Sequence, residues 1–200
     1  MKAFSRYGVV VLSLLLVAGV SAQEDQAAGE PLVPALERTA AKFLSSVEGL
    51  TEEQWHFKPA PDRWSIAECA EHIAVSESFI RGVVEKMLDK PAEPVDAEAR
   101  KDAVLMAMLV DRTSKFNAPD PLVPQERFES DEETVATFTR ERGETIKLAK
   151  NASGLRDHAG THPALGNVDA YGWLLIIAGH SERHTLQIEE IKQSEGYPAN

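Results

Sequence analysis

The chain has 200 residues, 21 basic against 32 acidic, for a net charge of −11. That balance excludes a nucleic-acid binder driven by bulk charge, which needs a surplus of Lys and Arg facing phosphates. Hydrophobic residues at 43% suffice for one medium-sized core, and a single cysteine, Cys69, excludes an intramolecular disulfide framework and any multi-cysteine metal cluster.

Residues 1–22 carry Lys2 and Arg6, then an apolar run from Val9 to Val20 that closes on Ser21 and Ala22. This is the order of a secretory signal peptide, and the run is shorter than the ~20 apolar residues of a membrane span. Cleavage after Ala22 is expected, with a periplasmic or extracellular location. Losing Lys2 and Arg6 takes the net charge from −11 to −13, which disfavours anionic lipid surfaces. An uncleaved N-terminal anchor is the alternative. Residues 23–30, QEDQAAGE, read as a flexible polar lead-in to a domain over 31–197.

From Pro31 to Leu50 the apolar positions Leu32, Leu36, Ala40, Phe43, Leu44 and Val47 recur at helical spacing, predicting a first helix. Thr51 with Gln54 forms a capping-box pattern for a short helical turn, and KPAPD from Lys58 to Asp62 breaks it. Ser65 with Glu68 is a second box, so a second helix is expected from Ile66 to about Lys90, with Trp64 and Cys69 placed to staple its start. Pro91 and Pro94 stop it. Residues 96–116 read as a further helical stretch and Ala118 to Glu129, with three prolines, as a loop. Ser130 with Glu133 predicts a third box opening a third helix to Ala149.

A connection rich in Gly and Pro follows, and Asn167 is the expected cap of the fourth helix, with Asp169 in its first turn and Gly196 and Pro198 ending it. No segment shows sustained two-residue alternation bounded by hairpin turns. The fold class predicted is all-α, a four-helix bundle with a helical insertion between helices two and three, roughly residues 91–129.

Six histidines are present: His56, His72, His158, His162, His180 and His184. His180 and His184 are four residues apart, which puts both rings on one helix face with Cβ atoms about 5 to 6 Å apart, near enough to hold one metal ion. That face also carries Trp173, Ile176, Ile177, Ile188 and Ile191, so the pair points into the bundle. His72 on helix two, among Cys69, Val75, Ser76 and Phe79, supplies a third ligand. Three imidazoles leave a coordination position open. The alternative is three separately satisfied core or rim histidines.

Cys69 reads as a small buried hydrophobe, with a fourth-ligand role as the alternative. His56, His158 and His162 suit solvated or capping roles, with His162 able to line a pocket mouth. Trp55, Trp64, Trp173 and Tyr171 read as core anchors. Glu182, Glu189 and Glu190 read as a solvated face, with Glu189 and Lys192 spaced to pair. Glu71 and Glu77 flank His72 in sequence but fall about 100° or more off its direction, so no general base is assigned.

The segments LTEEQWHFKPAPDRWSIAECAEHIA, Leu50 to Ala74, and HPALGNVDAYGWLLIIAGHSERHTLQIEEIK, His162 to Lys192, resemble the DinB/YfiT-like family of metal-dependent four-helix proteins. The resemblance covers nearly the whole mature chain. It implies a divalent metal, zinc or nickel, on His72, His180 and His184, and a thiol-dependent transferase or a hydrolase acting on a small substrate. A non-catalytic metal-binding or interaction module is the alternative. The partners expected are an unidentified small molecule and, as one option, a second copy in a homodimer, with no nucleic acid and no membrane after cleavage. Export and the 91–129 insertion depart from the family pattern.

Overall fold

Two of the capping boxes form as predicted and set where the helices begin. In the computed structural model, which describes residues 30–96 and 102–199, helix α1 spans Leu32–Val47, the short α2 spans Glu52–His56 and α3 spans Ile66–Leu88. The expected signal peptide over 1–22 and all but Glu30 of the expected lead-in over 23–30 lie outside the described residues. Thr51 accepts from the Gln54 amide at 3.3 Å while the Gln54 side chain accepts from the Thr51 amide at 3.0 Å. Ser65 and Glu68 repeat the exchange at 3.2 and 2.7 Å. Ser65→Ala should cost about 1 kcal/mol by removing this cap, seen as a melting temperature lower by roughly 2 to 4 °C; an unchanged melt would show that the Ser65 hydroxyl contributes nothing to starting α3.

Helix α4 spans Asp102–Val110, a 3-10 turn occupies Asp120–Leu122, and α5 spans Asp131–Asn151. Of the expected 96–116 stretch, residues 97–101 lie outside the described residues, and residues 111–116 are not helical. Asp111 accepts from both the amide and the hydroxyl of Thr113 at 2.9 Å, a local bond that competes with helix continuation. Arg183 also caps this end, donating to the carbonyls of Asp111 and Ser114. At α5, Ser130 accepts from the Glu133 amide at 3.2 Å, but the Glu133 carboxylate bonds the Glu129 amide at 2.7 Å, one residue before the cap, so the third box is only half formed.

The connection after α5, expected without strands, contains a small hairpin. Strands β1, Ala159–His162, and β2, Gly166–Asp169, pair antiparallel from Ala159 opposite Asp169 to His162 opposite Gly166. Neither AGTH nor GNVD alternates apolar with polar residues, so the pair carries no strand period. The turn is made by Pro163, by a Leu165 amide bond to the His162 carbonyl at 3.3 Å, and by Gly166 at φ +75°. Because β2 runs through Asn167, the cap of the last helix α6, Ala170–Lys192, is Asp169 rather than Asn167; its carboxylate accepts from the Gly172 amide at 2.7 Å.

The bundle is built from α1, α3, α5 and α6. Helix α6 packs on α1 and α3, α5 closes the opposite side on the same two, and α4 lies on the outside of α6. Its apolar interior divides in two. One half holds Leu32, Leu36, Ile80, Val84, Met87 and the start of α6; the other holds Phe43, Trp55, Ile73, Phe138, Ile188 and Ile191.

Between these halves runs a buried polar layer. Arg142, 2% exposed, donates to Glu77 at 2.5 and 3.0 Å, to the Leu36 carbonyl at 2.7 Å, to Thr39 at 2.9 Å and to Ser181 at 2.6 Å. Four helices are thus tied at one level, immediately beside the position of His180. Among the described residues no helix is long and apolar enough to cross a membrane.

Candidate metal centre

His72 projects from α3, and His180 and His184 project one turn apart from the facing stripe of α6. Their ring centroids stand 4.7 Å (His72–His180), 4.5 Å (His72–His184) and 4.6 Å (His180–His184) apart. One nitrogen from each ring lies within 4.8 Å of the others, the arrangement in which three imidazoles can share one ion. His72 is buried, whereas His180 and His184 keep part of their surface open.

The tautomers are set from behind. His72 Nδ1 lies 2.7 Å from the Leu122 carbonyl, which can only accept, so that nitrogen carries the hydrogen and Nε2 presents its lone pair. His184 Nδ1 lies 2.9 Å from Gln187 Oε1 and is fixed in the same sense. His72 Nε2 stands 2.9 Å from His180 Nε2, a separation at which two facing lone pairs repel unless a proton or a metal cation lies between them. Burial is the main cause that pushes the His180 and His184 pKa values well below the usual histidine range; the neighbouring ring of the cluster adds to it. His72 is lowered by burial as well, against the opposing bond to Leu122. Neutral rings are what metal ligation needs. The donor set therefore suits a divalent ion.

Trp64 forms one wall, its ring 4.9 Å from His72 and 5.9 Å from His184. Trp64, expected as a core anchor, is half-buried and also faces the histidines. Its position two residues before the start of α3, next to the Ser65 cap, was the available signal.

A model of the DinB superfamily matches residues 35–188. The chain belongs to the DinB superfamily. The uncharacterized protein YuaE of Bacillus subtilis (strain 168) is 24% identical to this DinB protein over 151 residues, which cover 74% of this chain and 90% of YuaE. The solved structure of YfiT from Bacillus subtilis, described as a probable metal-dependent hydrolase with an unusual four-helix bundle topology, superposes with a TM-score of 0.56 at 17% identity, covering 94% of this chain and 95% of that one.

The remaining candidates of this DinB protein separate from the cluster. Cys69 is fully buried, its thiol pushed up by burial, and among the described residues the metal-capable group consists of the three histidines without it. His56 is exposed, 3.5 Å from Asp131, on a groove of about 830 Å³ that it shares with Trp55, Glu68 and Glu71. His162 lies against Trp173 with ring centroids 5.0 Å apart, and His158 stands just before β1.

Glu189 and Lys192 pair at 2.8 Å as expected. Glu182, however, is not a solvated residue: its side chain is 13% exposed and binds Arg38 at 2.9 Å and Lys42 at 2.5 Å, tying α6 to α1. Glu190 takes Arg112 through two bonds of 2.6 and 2.8 Å, anchoring the segment after α4. These long-range partners carry no sequence signal.

Proposed function

We propose that this DinB protein is a metal-dependent enzyme acting on a small substrate, with His72, His180 and His184 as ligands of one divalent ion, zinc or nickel. The observation that carries the reading is the convergence of three neutral imidazoles from two facing helices. The chemistry such an ion supplies is Lewis acidity, which makes a nucleophile of water or a thiol near neutral pH. Hydrolysis is supported by the description of YfiT, and thiol-dependent transfer by the family resemblance.

His72 and His184 orient their Nε2 lone pairs by donating from Nδ1, and Trp64 shields one side of the cluster from water. The charge and apolar order of residues 1–22 support action outside the cytoplasm. A specific observation favours the second reading, a non-catalytic metal-binding module: both carboxylates that flank His72 along α3 are committed, Glu71 to Arg127 and Glu77 to Arg142.

Protein isolated from its native compartment should begin at Gln23 and carry about one equivalent of a divalent metal per chain. Loaded with zinc or nickel, it should turn over small esters or amides, or join a thiol to a small electrophile, and His184→Ala should lose that turnover while remaining folded. Activity unaffected by His184→Ala would refute the histidine centre as the active site, and bound metal without turnover of either substrate class would favour the module.

A further inference from the structure

We propose that Glu71 is a positioning residue for the histidine centre: its carboxylate latches the Pro119–Arg127 segment onto α3, so that the Leu122 carbonyl holds the His72 ring with Nε2 facing His180 and His184. The latch deepens the metal-site reading above and rests on it.

Glu71 is 6% exposed and points away from His72 around α3, towards the insertion. Its Oε1 accepts from the Gln125 amide at 2.8 Å and from Arg127 Nη1 at 2.5 Å. Its Oε2 accepts from the amides of Glu126 at 2.9 Å and Arg127 at 3.4 Å. Charge assistance makes these bonds stronger than neutral ones. Glu126 sits at φ +56°, a conformation that costs free energy in a residue with a side chain and persists where surrounding bonds impose it.

The same Arg127 guanidinium donates to the carbonyls of Val123 at 2.8 Å and Pro121 at 3.1 Å, which closes the segment on itself. Between those two carbonyls lies Leu122, its side chain 6% exposed and its carbonyl 2.7 Å from His72 Nδ1. One carboxylate therefore holds the loop, and the loop holds the ring. The residue that anchors the loop and the residue that the loop orients are adjacent on α3, so a shift of the loop is felt directly as a rotation of His72. Outer partners that fix a ligand's tautomer typically change metal affinity by about 10- to 100-fold when removed.

The test is side-chain nitrogen NMR of the metal-free protein, with cobalt(II) titration alongside. In the unaltered chain His72 should show the Nδ1–H tautomer alone. In Glu71→Gln and in Arg127→Ala it should become a mixture of tautomers, with cobalt(II) affinity lower by about tenfold or more, while His184, held by Gln187, keeps its own tautomer. A purely structural role for Glu71 would lower the melting temperature without changing the His72 tautomer.

Should Glu71→Gln fail to fold, Arg127→Ala answers the same question, because it removes the guanidinium that joins Glu71 Oε1 to the Val123 and Pro121 carbonyls on either side of Leu122. An unchanged His72 tautomer in Glu71→Gln, or in Arg127→Ala where Glu71→Gln does not fold, overturns the latch, whether or not affinity falls. A tautomer that shifts in a protein binding no cobalt in any form retains the latch and removes the metal reading instead.

Discussion

The His180→Ala variant is expected to purify without metal and to melt at the same temperature with and without added zinc. The unaltered chain should gain roughly 4 kcal/mol at a free zinc concentration about 1,000 times its dissociation constant, which corresponds to a rise of roughly 8 to 16 °C for a domain of this size. The reason lies in the placement of the rings. His180 completes the triangle of rings, its Nε2 2.9 Å from His72 Nε2 and its ring centroid 4.6 Å from that of His184.

Without the His180 imidazole, His72 and His184 remain on different helices, and two neutral nitrogens do not complete a three-ligand set. Chelator treatment of the unaltered protein should bring its melting temperature down to the metal-free value. Thermal melts with and without zinc, read beside elemental analysis, check both statements, and full metal content in His180→Ala would overturn the ligand assignment.

The second large effect is expected at the polar layer. Arg142→Ala should destabilise the fold by about 3 to 5 kcal/mol, because it strands the Glu77 carboxylate in the core without its cation; the melting temperature should fall by roughly 6 to 20 °C. Glu77 is 1% exposed, and its other partners are the hydroxyls of Thr145 at 3.2 Å and Ser181 at 3.4 Å, which do not neutralise a charge. The Arg142 guanidinium also satisfies the Leu36 carbonyl and Thr39, so its loss opens the junction of α1, α3, α5 and α6 at once.

Removing both charges should behave differently. Glu77→Leu combined with Arg142→Met is expected to be about as stable as the unaltered chain, since the desolvation of two ions disappears along with their attraction. Denaturant melts of the two single variants and the double variant measure the coupling. A loss below about 1 kcal/mol in Arg142→Ala would show that the layer contributes little to stability. Metal content in the double variant, expected to be unchanged, separates this layer from the histidine centre next to it.

The parts of the molecule legible in sequence are those governed by short-range rules. The Ser65–Glu68 and Thr51–Gln54 boxes, the periodic stripe of α1 and the four-residue spacing of His180 and His184 each act within one or two helical turns, and each appears as expected. Where a competing local bond exists, the structure departs from those rules. Asp111 with Thr113 ended α4 early, and pairing along β2 moved the last helix cap from Asn167 to Asp169.

The supports of the site were illegible for a different reason. Leu122, which orients His72, acts through a backbone carbonyl that every residue possesses, across a separation of 50 residues. Glu71 and Glu77 could be seen to point away from His72, yet their partners Arg127 and Arg142 are met only after the chain has folded.

By itself, then, the order of residues determined which segments are helical, which face of each is apolar, and that two histidines share one face of α6, because backbone bonds and side-chain period are local properties. Only the tertiary structure decided that His72 meets that pair, that an insertion loop fixes its tautomer, and that a buried ion pair crosses the bundle beside it. Those contacts join residues 50 to 112 positions apart. They depend on how helices pack and loops close, and packing responds to the whole set of apolar faces at once.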